Sequence, residues 1–281
     1  MIDVMIASMR ERPDGGPDDA LLAAAIQAEG GRVAIAGWDD PAVDWRNAGT
    51  IVVRSSWNYH LAPHAWRDWV AAAATMAKLI NPASLILWNM DKRYLCELAR
   101  FGLAVVPTRV IAADQPAQVL AQASWEGWTD VVVKPAIAAS AFGAKRFRLP
   151  AEQKDLTDHA ALLASSGDML LQPFQRRLEK ARERSLVFIN GQFSHAYDKP
   201  AFMGTLDGKT APLQLVQAGK GELRLANAVL AMIAPMPLIA RVDIVPGAPC
   251  ATLMELELIE PHLALDLHPP AAAMLARAIL G

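Results

Sequence analysis

Polar and apolar positions alternate with a period of two at several places in the chain, and each such run predicts a strand. The clearest runs lie near the end: Ile239-Ala240-Arg241-Val242-Asp243-Ile244 and Leu253-Met254-Glu255-Leu256-Glu257-Leu258-Ile259-Glu260. Pro246-Gly247-Ala248-Pro249 between them reads as a turn, which makes the two runs an antiparallel pair. That pairing sets Asp243 opposite Glu255 and Arg241 opposite Glu257. At the other end, residues 4–7 read as a short strand. Residues 18–29 read as a helix with an apolar stripe of Ala20, Leu21, Ala24, Ala25 and Ala28, closed by Gly30-Gly31. Strands follow at 32–36 and 50–53, then a helix at 65–79 that Asn81-Pro82 closes. Strand–helix–strand order predicts an α/β domain with a parallel sheet.

Further on, Asn89 is expected to open a helix that runs to about Arg100 and stops at Gly102. Residues 105–108 resume an extended course. Residues 130–135 form an apolar strand with Lys134 at its end, residues 136–146 a turn of small residues, and residues 147–149 an extended return. The strand at 169–174 ends in Pro173-Phe174, as suits a hinge, and the mixed charges of 176–184 read as a solvated connector. Asn190-Gly191 suits a type I′ turn and joins strands 185–189 and 192–197. A loop over 202–216, a helix over 221–232 and a last helix from Pro269-Pro270 to about residue 279 complete the chain.

The 281 residues suffice for one large domain or a few small ones with a sizeable core. A net charge of -2 gives no electrostatic case for nucleic acid or an anionic membrane surface. Cys96 and Cys250 stand far apart, which suggests neither a disulfide scaffold nor a thiolate metal site. No basic, apolar leader opens the sequence and no run reaches the ~18 apolar residues of a spanning helix, so the cytoplasm is the expected compartment.

Candidate chemistry gathers at four places. Asp243, Glu255 and Glu257 would repel one another above an otherwise apolar sheet unless a counter-charge joins them. A divalent cation supplies that charge, and hard oxygen ligands suit Mg2+. The same pattern fits a solvated sheet face on which Arg241 pairs one acid. Arg54-Ser55-Ser56-Trp57-Asn58-Tyr59-His60 follows a strand end, where an open α/β sheet binds its ligand. Arg54 there either forks onto a substrate carboxylate or pairs an internal acid. Lys92 or Arg93 near a helix start would suit phosphate, and Lys134 at a strand end would be costly to bury without an anion. The 136–146 turn offers backbone amides to phosphate, although Gly143 is its only glycine. No Gly-x-Gly-x-x-Gly follows the first strand. His195 reads either as an acid/base or, more simply, as a structural strand residue.

Taken in order, Arg54 to His60, Asn89 to Tyr94, Val132-Val133-Lys134-Pro135, Leu171-Gln172-Pro173-Phe174, Ser185 to Lys199, and Arg241 to Asp243 with Glu255 to Pro261 resemble the ATP-grasp carboxylate ligases. Within them the resemblance is to the glutathione-synthetase-like and ribosomal-protein-modifying branch, nearest the subgroup of the D-cycloserine cyclo-ligase. It implies an α/β, ATP-grasp fold. Residues 1–85 would form an N-terminal substrate-side domain, 86–175 a small lobe, and 176–281 a C-terminal lobe with the metal site. It implies that ATP activates a small carboxylic acid as an acyl phosphate, which an amine then attacks. Lys92 and Lys134 would contact ATP phosphates, with Gln172, Pro173 and Phe174 at adenine and Glu183 also on the nucleotide side. Arg241 would stabilise the transferring phosphoryl group, and Lys134 shares that catalytic duty. Asp243, Glu255 and Glu257 would bind two Mg2+ ions, with Mn2+ as a substitute. Arg54, Ser55, Ser56, Asn58, His60 and Lys199 would face the substrate. A homodimer is a further implication, though no helix or patch stands out for it.

Two departures from the family pattern matter: the phosphate turn is poor in glycine, and Lys180 to Ser185 carries alanine and arginine where relatives often have glycine before the glutamate. Glu257 also stands where many relatives carry asparagine. The altered loop and the basic Arg182/Arg184 segment leave open an ATP-binding regulatory protein with a decayed site, and the nearest subgroup alone suggests an intramolecular cyclo-ligase.

Overall fold

In a computed structural model that describes residues 2–199, 212–247 and 250–281, the chain builds three sheets in sequence order. The first is parallel, in the order β2-β1-β3-β4, from β1 (Ile2–Ser8), β2 (Val33–Gly37), β3 (Ala48–Val53) and β4 (Lys78–Ile80). Helices α1 (Pro17–Ala28) and α2 (Pro63–Met76) accompany it. The helix expected over 65–79 stops early. Ala77 turns to extended backbone, and Leu79 and Ile80 bury themselves in β4 beside β3.

The helix expected from Asn89 is also corrected. Asn89 closes α3 (Ala83–Asn89), and α4 (Tyr94–Arg100) begins after a turn. Long-range pairing accounts for the break. The Asn89 amide donates to Leu256 O at 2.9 Å and accepts from Leu258 N at 2.8 Å, as a neighbouring strand would. Tyr94 Oη donates to Leu256 O at 2.8 Å and accepts from Leu256 N at 3.0 Å.

The second sheet is antiparallel, in the order β5-β8-β6-β7, from β5 (Arg109–Ile111), β6 (Asp130–Pro135), β7 (Lys145–Arg148) and β8 (Met169–Pro173). Two helices absent from the sequence reading pack on it, α5 (Gln118–Trp125) and α6 (Gln153–Leu163). Val119, Ala123, Leu156, Ala160 and Leu163 fall at helical spacing and share a core with Val131, Val133 and Phe147.

The third sheet runs β11-β10-β9-β12-β13, from β9 (Glu183–Ile189), β10 (Gln192–Lys199), β11 (Gln214–Val216), β12 (Ile239–Val245) and β13 (Thr252–Glu257). Asn190 and Gly191, with φ of 50° and 72°, make the tight turn that this dipeptide favours. β12 and β13 pair Asp243 with Glu255 and Arg241 with Glu257, the register the alternation predicts. A bulge next to Asp243 then moves Ile244 onto Leu253.

The connector expected over 176–184 is solvated only in part. Residues Arg176–Glu179 make a 3-10 turn, but Glu183 already belongs to β9 and is buried. Residues 202–211 of the expected loop and two residues of the 246–249 turn lie outside the described residues, while 214–216 is strand rather than loop. Helix α7 (Lys220–Ala231) packs on this sheet. Helix α8 (Pro270–Leu280) returns to α1, and its Leu275, Ala276 and Ile279 share a core with Leu22 and Ile26. No helix among the described residues is long and apolar enough to cross a membrane.

Candidate active site

The strand period puts Arg241 and Asp243 on one face of β12 and Glu255 and Glu257 on the matching face of β13. Carboxylate oxygens of Asp243, Glu255 and Glu257 lie within 4.8 Å of one another. Arg241 grips Asp243 with Nε at 2.9 Å and an Nη at 2.8 Å, and also reaches Glu257 at 2.7 Å. Lys199 joins Asp243 at 2.6 Å and Glu183 at 3.0 Å, and Ser185 Oγ donates to Asp243 at 2.7 Å. Burial pushes the Asp243 carboxyl up, but the charges of Arg241 and Lys199 outweigh it and hold it below the usual range. Glu255 is lowered in the same way, since Lys92 and Lys134 overcome its burial. Glu257 is raised, because burial and the charges of Glu255 and Asp243 outweigh Arg241.

Glu255 and Glu257 line a cleft of about 720 Å³, whereas Asp243 is fully buried and does not line it. Lys92 pairs with Glu255 at 3.1 Å and donates to Ala138 O at 2.5 Å, and its backbone N–H donates to Ala136 O. Lys134, at the end of β6, lines the same cleft, and among the described residues no carboxylate lies within ion-pair distance of it. Burial pulls its amine down. The turn after β6 lines the cleft through Ala138, Ala139, Ser140 and Ala141. Ser140 and Ala141 adopt left-handed φ of 50° and 55°, a region that glycine enters most easily. Gln172, Pro173 and Phe174 line the cleft at the end of β8, and the Gln172 amide is fixed by Thr108 at 2.8 Å.

The cluster after β3 is differently placed. Arg54 is 2% exposed and pairs with Asp18 at 3.4 Å and Asp19 at 3.5 Å, the internal pairing weighed for it from the sequence. Ser55 bonds Asp19 and Ser8, and Ser56 donates to the Ala7 carbonyl at 3.0 Å. Asn58 bridges Trp38 and Asp39, and His60 packs on Phe142 of the turn. None of these five side chains lines the cleft; the neighbours Trp57 and Tyr59 do. His195 is buried against Leu263 O at 2.7 Å, as a structural strand residue. Arg182 and Arg184 are engaged by Asp198, Glu222 and the Pro212 carbonyl, so they form no free basic patch.

Sequence reasoning passed over Glu260 and His262, which line the cleft beyond Glu257. Burial and the nearby Glu257 push the Glu260 carboxyl well up, and burial pushes His262 down. Glu260 continues the acidic run of the β13 strand, and that was the available signal.

Residues 4–81 match the family described as D-cycloserine synthetase DcsG, N-terminal domain. The chain is 29% identical over 272 residues to the cycloserine biosynthesis protein DcsG of Streptomyces lavendulae, covering 92% of this chain and 91% of that protein. The crystal structure of D-cycloserine synthetase DcsG superposes with a TM-score of 0.88 at 26% identity, over 99% of this chain and 98% of that one. The chain has the ATP-grasp fold, is similar to the cycloserine synthetase group and is an ATP-dependent ligase. A RimK domain ATP-grasp protein of Sphaerobacter thermophilus shares the fold, with a TM-score of 0.75 at 15% identity over 99% of this chain and 100% of that one. The ligase thus carries its acid cluster, its lysines and the β8 hinge around one cleft of an ATP-grasp fold.

Proposed function

We propose that this ligase uses Mg2+ and ATP to activate a small carboxylic acid as an acyl phosphate, which a nitrogen nucleophile then converts to an amide-like product. The observation that carries the reading is the charge balance of the cleft. Among the described residues, Lys92, Lys134, Lys199 and Arg241 stand in the lining against Glu183, Glu255, Glu257 and Glu260, with the buried Asp243 paired to Lys199 and Arg241, so the wall offers no surplus positive charge to a polyphosphate. The carboxylates of Asp243, Glu255 and Glu257 would hold a hard divalent ion, which when bound would offset the negative charge of the phosphates. The family resemblance implies two Mg2+ ions, and Mn2+ has the same preference for oxygen ligands.

Lys134, without an acid partner among the described residues, and Lys92 would orient the phosphates, while Gln172, Pro173 and Phe174 flank adenine and Glu183 steadies Lys199. The acid's carboxylate oxygen attacks the γ-phosphorus and ADP leaves. Arg241 would stabilise the charge that develops on the equatorial oxygens of the transferring group. The nucleophile then adds to the acyl carbon, and phosphate departs with the oxygen. Tyr59, Glu260 and His262 line the substrate side of this route. The sheets support a substrate-side domain over 1–85, a small lobe over 86–175 and a C-terminal lobe over 176–281, in a cytoplasmic protein.

Incubation with ATP, Mg2+ and a panel of amino and hydroxy acids should release phosphate, and added hydroxylamine should trap the acyl group as a hydroxamate. Substrate-stimulated release that survives in both Asp243→Asn and Glu255→Gln would sink the metal assignment. Kinship with cycloserine synthetase favours a second reading, in which acyl group and nucleophile belong to one molecule that closes into a ring. Turnover of single bifunctional compounds, with none from separate acid and amine, would select it.

A further inference from the structure

Phe174 forms part of the cleft wall, but the residue that holds its ring does not. The Arg146 guanidinium carbon sits 3.4 Å from the Phe174 ring centroid, closer than any other cation–ring contact among the described residues. Arg146 lines a separate hollow of about 330 Å³ with Asp130 and Glu179. Asp130 takes its Nε at 2.8 Å and an Nη at 2.7 Å, and Glu179 takes the same Nη at 2.6 Å. The Asp130 carbonyl also accepts the Phe174 backbone N–H at 2.8 Å. One residue therefore anchors both the guanidinium and the main chain of the residue beneath it.

We propose that Arg146 is a positioning residue for the nucleotide: clamped by Asp130 and Glu179, it fixes the Phe174 ring against which adenine lies. This rests on the assignment of Gln172 to Phe174 as the adenine end of the cleft. A phenylalanine ring at a strand end has free rotation about χ1 and χ2, and it gives a defined stacking surface only when another group holds it. A planar guanidinium does this well, because it stacks flat while its edge forks onto a carboxylate. Lysine offers neither the plane nor the fork. Glu179 comes from the turn after the hinge, so the clamp also ties β7 to the segment that enters the third sheet.

The test measures ATP and inorganic triphosphate affinities by calorimetry with Mg2+ in the full chain, together with melting. Arg146→Met should weaken ATP by about tenfold and triphosphate by less than about twofold, since only ATP carries the base. Arg146→Lys should stay weak, and Arg146→Met with Phe174→Leu should bind ATP no worse than Phe174→Leu alone. Glu179→Gln, which leaves the Asp130 pair intact, should lose a smaller part of the ATP affinity at unchanged melting. Equal losses for ATP and triphosphate, additive losses in the double variant, or wild-type ATP affinity in Arg146→Met would each overturn the proposal. Full ATP affinity in Phe174→Leu would remove the adenine assignment and the clamp with it. That outcome differs from a weakened Phe174→Leu beside a silent Arg146, which removes the clamp alone.

Discussion

Arg54→Met is expected to act on the fold and to leave the nucleotide alone. Arg54 is 2% exposed and faces two buried acids, Asp18 and Asp19. Removing one partner of a buried charge pair costs about 3–5 kcal/mol, because the other charge stays buried without compensation. Two features pull this case to the lower end. The pairs are long, at 3.4 and 3.5 Å, and both acids keep other donors. Asp18 accepts from Leu263 N at 2.5 Å and Leu265 N at 2.9 Å, and Asp19 accepts from Gly16 N at 2.7 Å and from the Ser55 hydroxyl. A loss of about 3 kcal/mol lowers the melting temperature by about 6–10 °C in a chain of this size. Arg54→Lys, which keeps the charge and loses the fork, should fall between. Differential scanning fluorimetry reads the melt, and titration with ATP and Mg2+ should return wild-type affinity in both variants. A melt within about 1 °C of wild type in Arg54→Met, with substrate-stimulated phosphate release strongly reduced, would refute the structural assignment and move Arg54 to the substrate.

Three further outcomes are expected. Lys134→Met should lower turnover by about 10²–10³-fold with little change in melting, because among the described residues no acid lies within ion-pair distance of this lysine; equal turnover in steady-state assays would exclude it from the phosphate site. Asn81→Ala should cost about 3–4 kcal/mol in a denaturant titration, since its amide satisfies Ile239 O, Leu258 O, Leu238 N and Ile239 N at once. Burial lowers the His195 pKa from its ordinary 6.5, against the Leu263 carbonyl that raises it, with His268 lowering and Asp18 raising it further. Below pH 6.5 the unfolded chain therefore binds the proton first, so stability is full above that value and declines as pH falls toward the folded pKa. His195→Gln should flatten that part of the melting-temperature profile, and an unchanged slope would assign the acid sensitivity elsewhere.

What could be read from sequence was what has a local period. Alternation in β12 and β13 requires Arg241, Asp243, Glu255 and Glu257 to share a face, and two-residue spacing alone brings their charges together. Helix α1 and the Asn190-Gly191 turn were legible for the same reason, but the face of α1 was misread: Leu22 and Ile26 are buried, while Ala20, Leu21, Ala24 and Ala28 of the expected stripe are exposed. What failed to appear depends on partners far along the chain. Asn89 reads as a helix start until Leu256 and Leu258, more than 160 residues away, claim its amide. Arg54 reads equally as a substrate fork or an internal partner until Asp18, itself held by Leu263 and Leu265 some 245 and 247 residues along the chain, pairs with it. A polar side chain at a strand end satisfies either a ligand or a distant backbone, and both choices look alike in one dimension. Hydrogen-bond capacity separates them afterwards. Asn81 has both donors and both acceptor positions of its amide bonded to protein and Asn89 has each end bonded once, so both serve as struts. Lys134 has no carboxylate within ion-pair distance among the described residues, and a half-buried amine in that state keeps its donors free for an anionic ligand.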